Sequence, residues 1–256
     1  QNEVAAYVDF RQIVAPWFSF DAGIRYDWHS QAGTEWVPQG GLTFHPSRND
    51  DIKVLVSKGF RNPIIREMYM FPPKNPDLKP ERMMNYELSY THRAGQGHVG
   101  GNLFLIKGDN LIATVMQPSG RPLNVNTGSF TNYGLELEGD YRFTDHWSMN
   151  ANYSYLHMKN PVAGAPEGKL YVGAHYQCGP FSVATGLQHI SDLYLTGGSG
   201  GQTESFTLLN ATASYRIVPQ VSVFVKGDNL LAERYQTYNG YPMPKATFMG
   251  GVSVDL

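Results

Sequence analysis

Residues 130–143, FTNYGLELEGDYRF, put Tyr133, Leu135, Leu137, Tyr141 and Phe143 on one face of an extended chain and Glu136, Glu138, Asp140 and Arg142 on the other. That period of two is a strand's, not a helix's. The alternation returns in WFSFDAGIRYDW, where Phe18, Phe20, Ala22, Ile24, Tyr26 and Trp28 oppose Ser19, Asp21, Arg25 and Asp27. It returns again in WSMNANYSYL, where Trp147, Met149, Ala151, Tyr153 and Tyr155 oppose Ser148, Asn150, Asn152 and Ser154. Each run lasts about ten residues or more, whereas globular strands usually stop near five or six and a tilted strand crossing a bilayer needs roughly nine to eleven. Strand length therefore favours a membrane barrel over a soluble sandwich, which alternates equally well.

The pattern predicts about thirteen strands, near residues 2–10, 17–28, 36–45, 51–60, 83–92, 98–108, 130–143, 146–158, 168–178, 181–194, 205–217, 220–229 and 245–256. Tight turns (PSRND, RAGQG, TDH, GP, VPQ) interleave with long connections at 61–82, 109–129, 159–167, 195–204 and 230–244. Outer-membrane barrels carry this asymmetry, with short periplasmic turns on one rim and long extracellular loops on the other. The expected orientation puts the loop at 60–81 outside and the C-terminus in the periplasm. Aromatic residues near strand ends, among them Trp17, Trp28, Trp36, Trp147, Tyr194 and Tyr215, stand where interfacial girdles would lie.

Composition narrows the alternatives. No apolar run approaches the roughly 18 residues of a membrane helix, and strands diluted by a polar face evade that test. A formal charge of −2 with 16% charged residues gives no electrostatic case for nucleic acid. Cys178 is the only cysteine, so an internal disulfide and a cysteine zinc site are excluded.

Three blocks carry a family resemblance. SKGFRNPIIREMYMFPPKNPDLKPERMMNYELSY is similar to a pattern of the TonB-dependent outer-membrane receptors, through Gly59, Phe60, Arg61, Pro63, Glu67, Met68, Tyr69, Asn75, Pro76, Leu78, Pro80, Glu81, Asn85, Tyr86 and Glu87. VFVKGDNLLAERYQTYNGYPMPKATFMGGVSVDL resembles the family's closing segment through Asn229, Leu230, Tyr235, Gly240, Tyr241, Pro242 and Pro244. Between them NTGSFTNYGLELEGDYRF resembles its G-x-E-(L/V)-E strand. The resemblance implies an all-β, antiparallel transmembrane barrel of 22 strands filled by an N-terminal plug, of which residues 1–256 look like the C-terminal portion, with plug, TonB box and signal peptide absent.

It also implies active import of a scarce metal chelate, a ferric siderophore before haem, cobalamin or copper, energised by the TonB complex through the plug. Outer-membrane lipid, the chelate and TonB are the expected partners, with no cofactor. The loop prolines at 63, 72, 73, 76 and 80 cannot serve a ladder, so the expected task of the consensus residues is architectural. Those residues are Phe60, Arg61, Pro63, Glu67, Asn75, Pro76, Leu78, Pro80, Glu81, Asn229, Leu230, Tyr235, Gly240 and Pro242. Met68, Tyr69, Met70, Phe71, Arg121, Tyr238 and Tyr241 are the candidates for touching cargo. A haem site would draw its axial ligand from His29 or His157. A passive porin is the closer rival. A hydrolase is the more distant one, since GGSGG around Ser199 runs into a strand where the nucleophile elbow needs a helix.

Overall fold

The computed structural model describes residues 2–70, 73–198 and 200–254. Its elements are β1 (Glu3–Ala15), β2 (Phe18–His29), β3 (Gly33–Phe44), β4 (Asp50–Arg61), a single π-helical turn (Arg66–Met70), β5 (Glu81–Ala94), β6 (Gly97–Asp109), β7 (Ile112–Met116), β8 (Pro122–Asn126), β9 (Ser129–Arg142), β10 (Trp147–Met158), β11 (Pro166–Cys178), β12 (Phe181–Tyr194), β13 (Thr203–Val218), β14 (Val221–Asp228), β15 (Gln236–Tyr238), β16 (Tyr241–Pro242) and β17 (Thr247–Val254). Thirteen strands join in one antiparallel sheet in chain order, β1 to β6, then β9 to β14, then β17. The chain is all-β, and each predicted strand is present. Most are longer than the sequence pattern suggested: β1 continues to Ala15 and β13 covers 16 residues.

Two features depart from the sequence reading. The connection between β2 and β3 is only residues 30–32, so the short–long alternation fails there. Two of the long connections also hold hairpins of their own, β7 with β8 and β15 with β16, outside the main sheet.

The chain divides into two compact units, residues 1–90 with 103–133, and residues 91–102 with 134–256. In the first, Ile24, Trp28 and Trp36 are exposed while Ser19, Asp27, His29 and Glu35 are buried. In the second, Leu137, Tyr141 and Met149 are exposed. A water-soluble domain sorts these residue types the other way. The inversion follows from register: Asp27 stands opposite Glu35, and Tyr26 opposite Trp36, so polar and apolar side chains each gather on one face. Aromatic pairs lie near strand ends in both units, Phe18 with Phe44 and Tyr26 with Trp36 in the first, Trp147 with Tyr176 in the second.

Candidate functional site

The long connection after β4 is tied down at its two ends by one guanidinium. Arg61, the last residue of β4, donates through Nε to Glu81, the first residue of β5, at 2.7 Å, and through Nη1 to both oxygens of Glu67 at 3.0 and 2.9 Å. Glu67 also accepts the Ile64 amide at 2.9 Å, and Glu81 the Ile112 amide at 2.8 Å. Charge-assisted, forked bonds of this kind hold geometry better than neutral ones. Arg61 thus bridges Glu67 in the π-helical turn to Glu81 at the start of β5, and Pro63, Met68 and Leu78 in the same connection are buried.

The β7–β8 hairpin completes the clamp with amides. Asn124 donates to the Glu67 carbonyl at 2.9 Å and its own carbonyl accepts from Asn75 at 2.7 Å. Asn126 donates to the Lys79 carbonyl at 2.9 Å and accepts the Lys79 amide at 2.9 Å. The loop's few backbone bonds of its own, Glu67 and Met68 to the Ile64 carbonyl and Asn75 to the Met68 carbonyl, are thus supplemented by a neighbouring hairpin at Glu67, Asn75 and Lys79. Among the described residues, hollows beside this connection include one of about 750 Å³ lined in part by His29, Phe60, Asn62, Ile65, Arg66 and Met70, and one of about 430 Å³ between Ile64, Arg66, Thr114 and Pro122.

In the second unit the connection after β14 turns on Asn229. This residue is buried and left-handed, with φ of 50°, a conformation that asparagine tolerates better than most side chains. Its side chain donates to the carbonyls of Glu233 and Pro244 at 2.9 and 3.1 Å and accepts the Glu233 amide at 3.0 Å, while its own amide donates to Asn210 at 2.9 Å. Leu230 donates its amide to the Leu209 carbonyl at 2.8 Å. Farther on, the Tyr235 ring lies 4.3 Å from that of Phe206, against a core of Ile190, Leu193, Leu195 and Phe206. Gly240 takes φ of 81° and donates to the Gln236 side chain at 2.9 Å, closing the β15–β16 hairpin, in which Gln236 stands opposite Pro242.

The cargo candidates separate by exposure. Met70, Arg121, Tyr238 and Tyr241 are exposed and Tyr69 is half-buried. Met68, named above as a cargo candidate, is 2% exposed and is the buried residue of the π-helical turn. Phe71 lies outside the described residues, as does Ser199. Among the architectural set Phe60 is half-buried, Pro80 is buried and Pro76 exposed. His29 is buried and accepts the Ala32 amide at 3.0 Å, so it caps the short β2–β3 turn and is no exposed axial ligand. Among the described residues no cluster of three or more histidine, cysteine or carboxylate side chains could hold a metal.

Sequence reasoning missed a buried charge cluster in the first unit. Glu35, 5% exposed, accepts from Lys58 at 2.9 Å and from Arg82 at 2.7 Å. No local pattern hinted at it, since Arg82 is 47 residues away. Burying one carboxylate beside two cations avoids the cost of an unpaired charge.

Comparison with known proteins follows the same line. Residues 1–230 match the family model described as TonB dependent receptor-like, beta-barrel. Among curated proteins the chain is 24% identical over 258 aligned positions to the vitamin B12 transporter BtuB of Photobacterium profundum, covering 93% of this chain and 41% of that protein. It therefore spans about two-fifths of that relative's length. Among solved structures, the ferric enterobactin receptor PfeA of Pseudomonas aeruginosa superposes with a TM-score of 0.85 at 16% identity, over 98% of this chain and 45% of that one. The siderophore receptor PirA of Acinetobacter baumannii gives 0.85 at 17% identity, over 98% and 45%. The copper transporter OprC gives 0.81 at 15% identity, over 99% and 47%.

Proposed function

Because this chain belongs to the TonB-dependent receptor β-barrel family, we propose that it supplies wall and surface loops to an outer-membrane receptor that imports a ferric siderophore or another metal chelate. The TonB complex supplies the energy, acting through a plug. The observation that carries the reading is a sheet with inverted burial whose long connections are clamped in place rather than left loose. The apolar face suits lipid, and the clamped loops offer a fixed surface to a ligand.

On this reading the long loops lie outside the cell and β17 runs toward the periplasm. Arg61, Glu67 and Glu81 in one unit and Asn229 in the other fix loop shape, while Tyr69, Met70, Arg121, Tyr238 and Tyr241 face the cargo. Similarity to a vitamin B12 transporter makes cobalamin the second ligand to test. No residue is assigned to bond-breaking chemistry: the protein binds and passes its cargo unchanged.

The experiment is uptake in cells lacking the gene, complemented with the full-length protein, with and without TonB. Restored uptake of one ferric siderophore or of cobalamin in the complemented cells, only where TonB is present, supports the reading. Steady conductance for small solutes in a planar bilayer, indifferent to TonB, would replace it with a porin.

A further inference from the structure

We infer that Asn239 is a site of self-modification: it loses its side-chain nitrogen as ammonia and becomes aspartate or isoaspartate, at a rate that the Gln236 side chain sets. Asn239-Gly240 is the only Asn-Gly pair in the sequence, and it forms the tip of the β15–β16 hairpin, where both residues are exposed. Glycine has no side chain to shield its nitrogen or limit its approach, so its amide can reach the carbonyl carbon of the preceding side chain. Asn49 is also exposed, but Asp50 follows it and crowds the same approach. The hairpin that holds the pair is slight, with three residues in β15, two in β16 and a register shift between Gln236 and Tyr238. Elements this small open locally at little cost.

The chemistry needs only water. When the tip opens, the Gly240 nitrogen gives up its proton to water and attacks Asn239 Cγ. A cyclic imide forms as the bond from Cγ to the side-chain nitrogen breaks and ammonia leaves. Water then opens the ring. Opening at Cγ leaves aspartate, and opening at the main-chain carbonyl leaves isoaspartate, with the chain running through Cγ and one carbon longer. Either product puts a negative charge between Tyr238 and Tyr241, both exposed and directly paired across the hairpin.

In the closed hairpin the attacking nitrogen is engaged, because the Gly240 amide donates to Gln236 Oε1 at 2.9 Å. That bond must break before the nitrogen can attack, which makes Gln236 a brake. The base of the hairpin is held separately: the Gln236 amide donates to Glu204 at 3.2 Å, and the Met243 amide to the Tyr235 carbonyl at 2.9 Å. Removing the Gln236 side chain therefore frees the tip and leaves the base in place. Neither lipid nor cargo takes part, so the inference stands apart from the receptor reading.

The test is peptide mass spectrometry of the full-length protein, purified in detergent and held at mildly alkaline pH, with the two products told apart by electron-transfer fragmentation. Asn239 should convert well ahead of Asn49, the internal reference. Gln236→Ala should quicken conversion about fivefold, the weight of one ordinary hydrogen bond. Gln236→Glu keeps an acceptor for the Gly240 amide and should restore the slower rate. An Asn239 that stays intact while Asn49 converts overturns the inference, as do equal rates in wild type and Gln236→Ala. Equally fast conversion in Gln236→Ala and Gln236→Glu also overturns it, since a disturbed hairpin rather than a lost acceptor would then set the rate.

Discussion

The two clamped loops solve one problem with opposite chemistry. After β4 the chain is held by ions and amides: one guanidinium on two carboxylates, then a row of asparagines from a neighbouring hairpin. After β14 it is held by a buried asparagine hub and an aliphatic and aromatic core. The first clamp is directional, so it sets the exact path of a proline-rich segment, and its exposed charges answer to salt. The second gains from burial, which is insensitive to salt and sensitive to lost volume. Fixing a loop by charge gives adjustable order, and fixing it by packing gives permanent order.

The sharpest way to break the contrast is in the core. Phe206→Ala should cost about 4 kcal/mol, the usual loss for a buried aromatic. It should free residues 230–246 to protease in the full-length receptor while leaving the cleavage rate of residues 62–80 unchanged. Asn229→Ala comes next, at about 3 kcal/mol, since it removes three side-chain hydrogen bonds to Glu233 and Pro244 and puts alanine in a left-handed position. Asn229→Gly relieves only the second problem, and hydrogen exchange at Glu233 separates the two contributions.

Arg61→Ala should cost about 2 kcal/mol, read as faster exchange at Ile64 and Ile112, whose amides sit on the two orphaned carboxylates. Arg61→Lys keeps the charge but not the fork, and should recover less than half of that loss. The smallest effect is ionic. Raising salt to about 1 M should quicken proteolysis of residues 62–80 severalfold and leave residues 230–246 alone. Equal response of both loops to salt would mean that the ion pairs contribute nothing particular to the first.

The sheet was legible in the sequence because a bilayer imposes two constraints on a strand, a minimum length and a period, and both are local. Thirteen strands follow from them. The hairpins inside the long connections were not legible, because their strands are short, five residues each in β7 and β8 and three and two in β15 and β16. The PSG turn at residues 118–120 and the Asn239-Gly240 pair were their signals. The burial of Met68 was not legible for a related reason: an aperiodic loop gives no clue to which side is covered. The positions of Arg61, Glu67, Glu81 and Asn229 came from resemblance. Their partners, the Ile112 amide, Asn124 and Asn210, came from long-range geometry that no local pattern encodes.

Inverted burial also governs how the protein behaves at the bench. Its mean hydropathy of −0.34 is that of an ordinary water-soluble chain. The average is innocuous because the two faces cancel in it, and the molecule responds to the faces separately. Stripped of amphiphile, the apolar side would seek its own kind on other copies, and the chain would precipitate despite its mild composition. Detergent is therefore a structural component of any preparation, and a solubility score computed from the sequence average misjudges this protein.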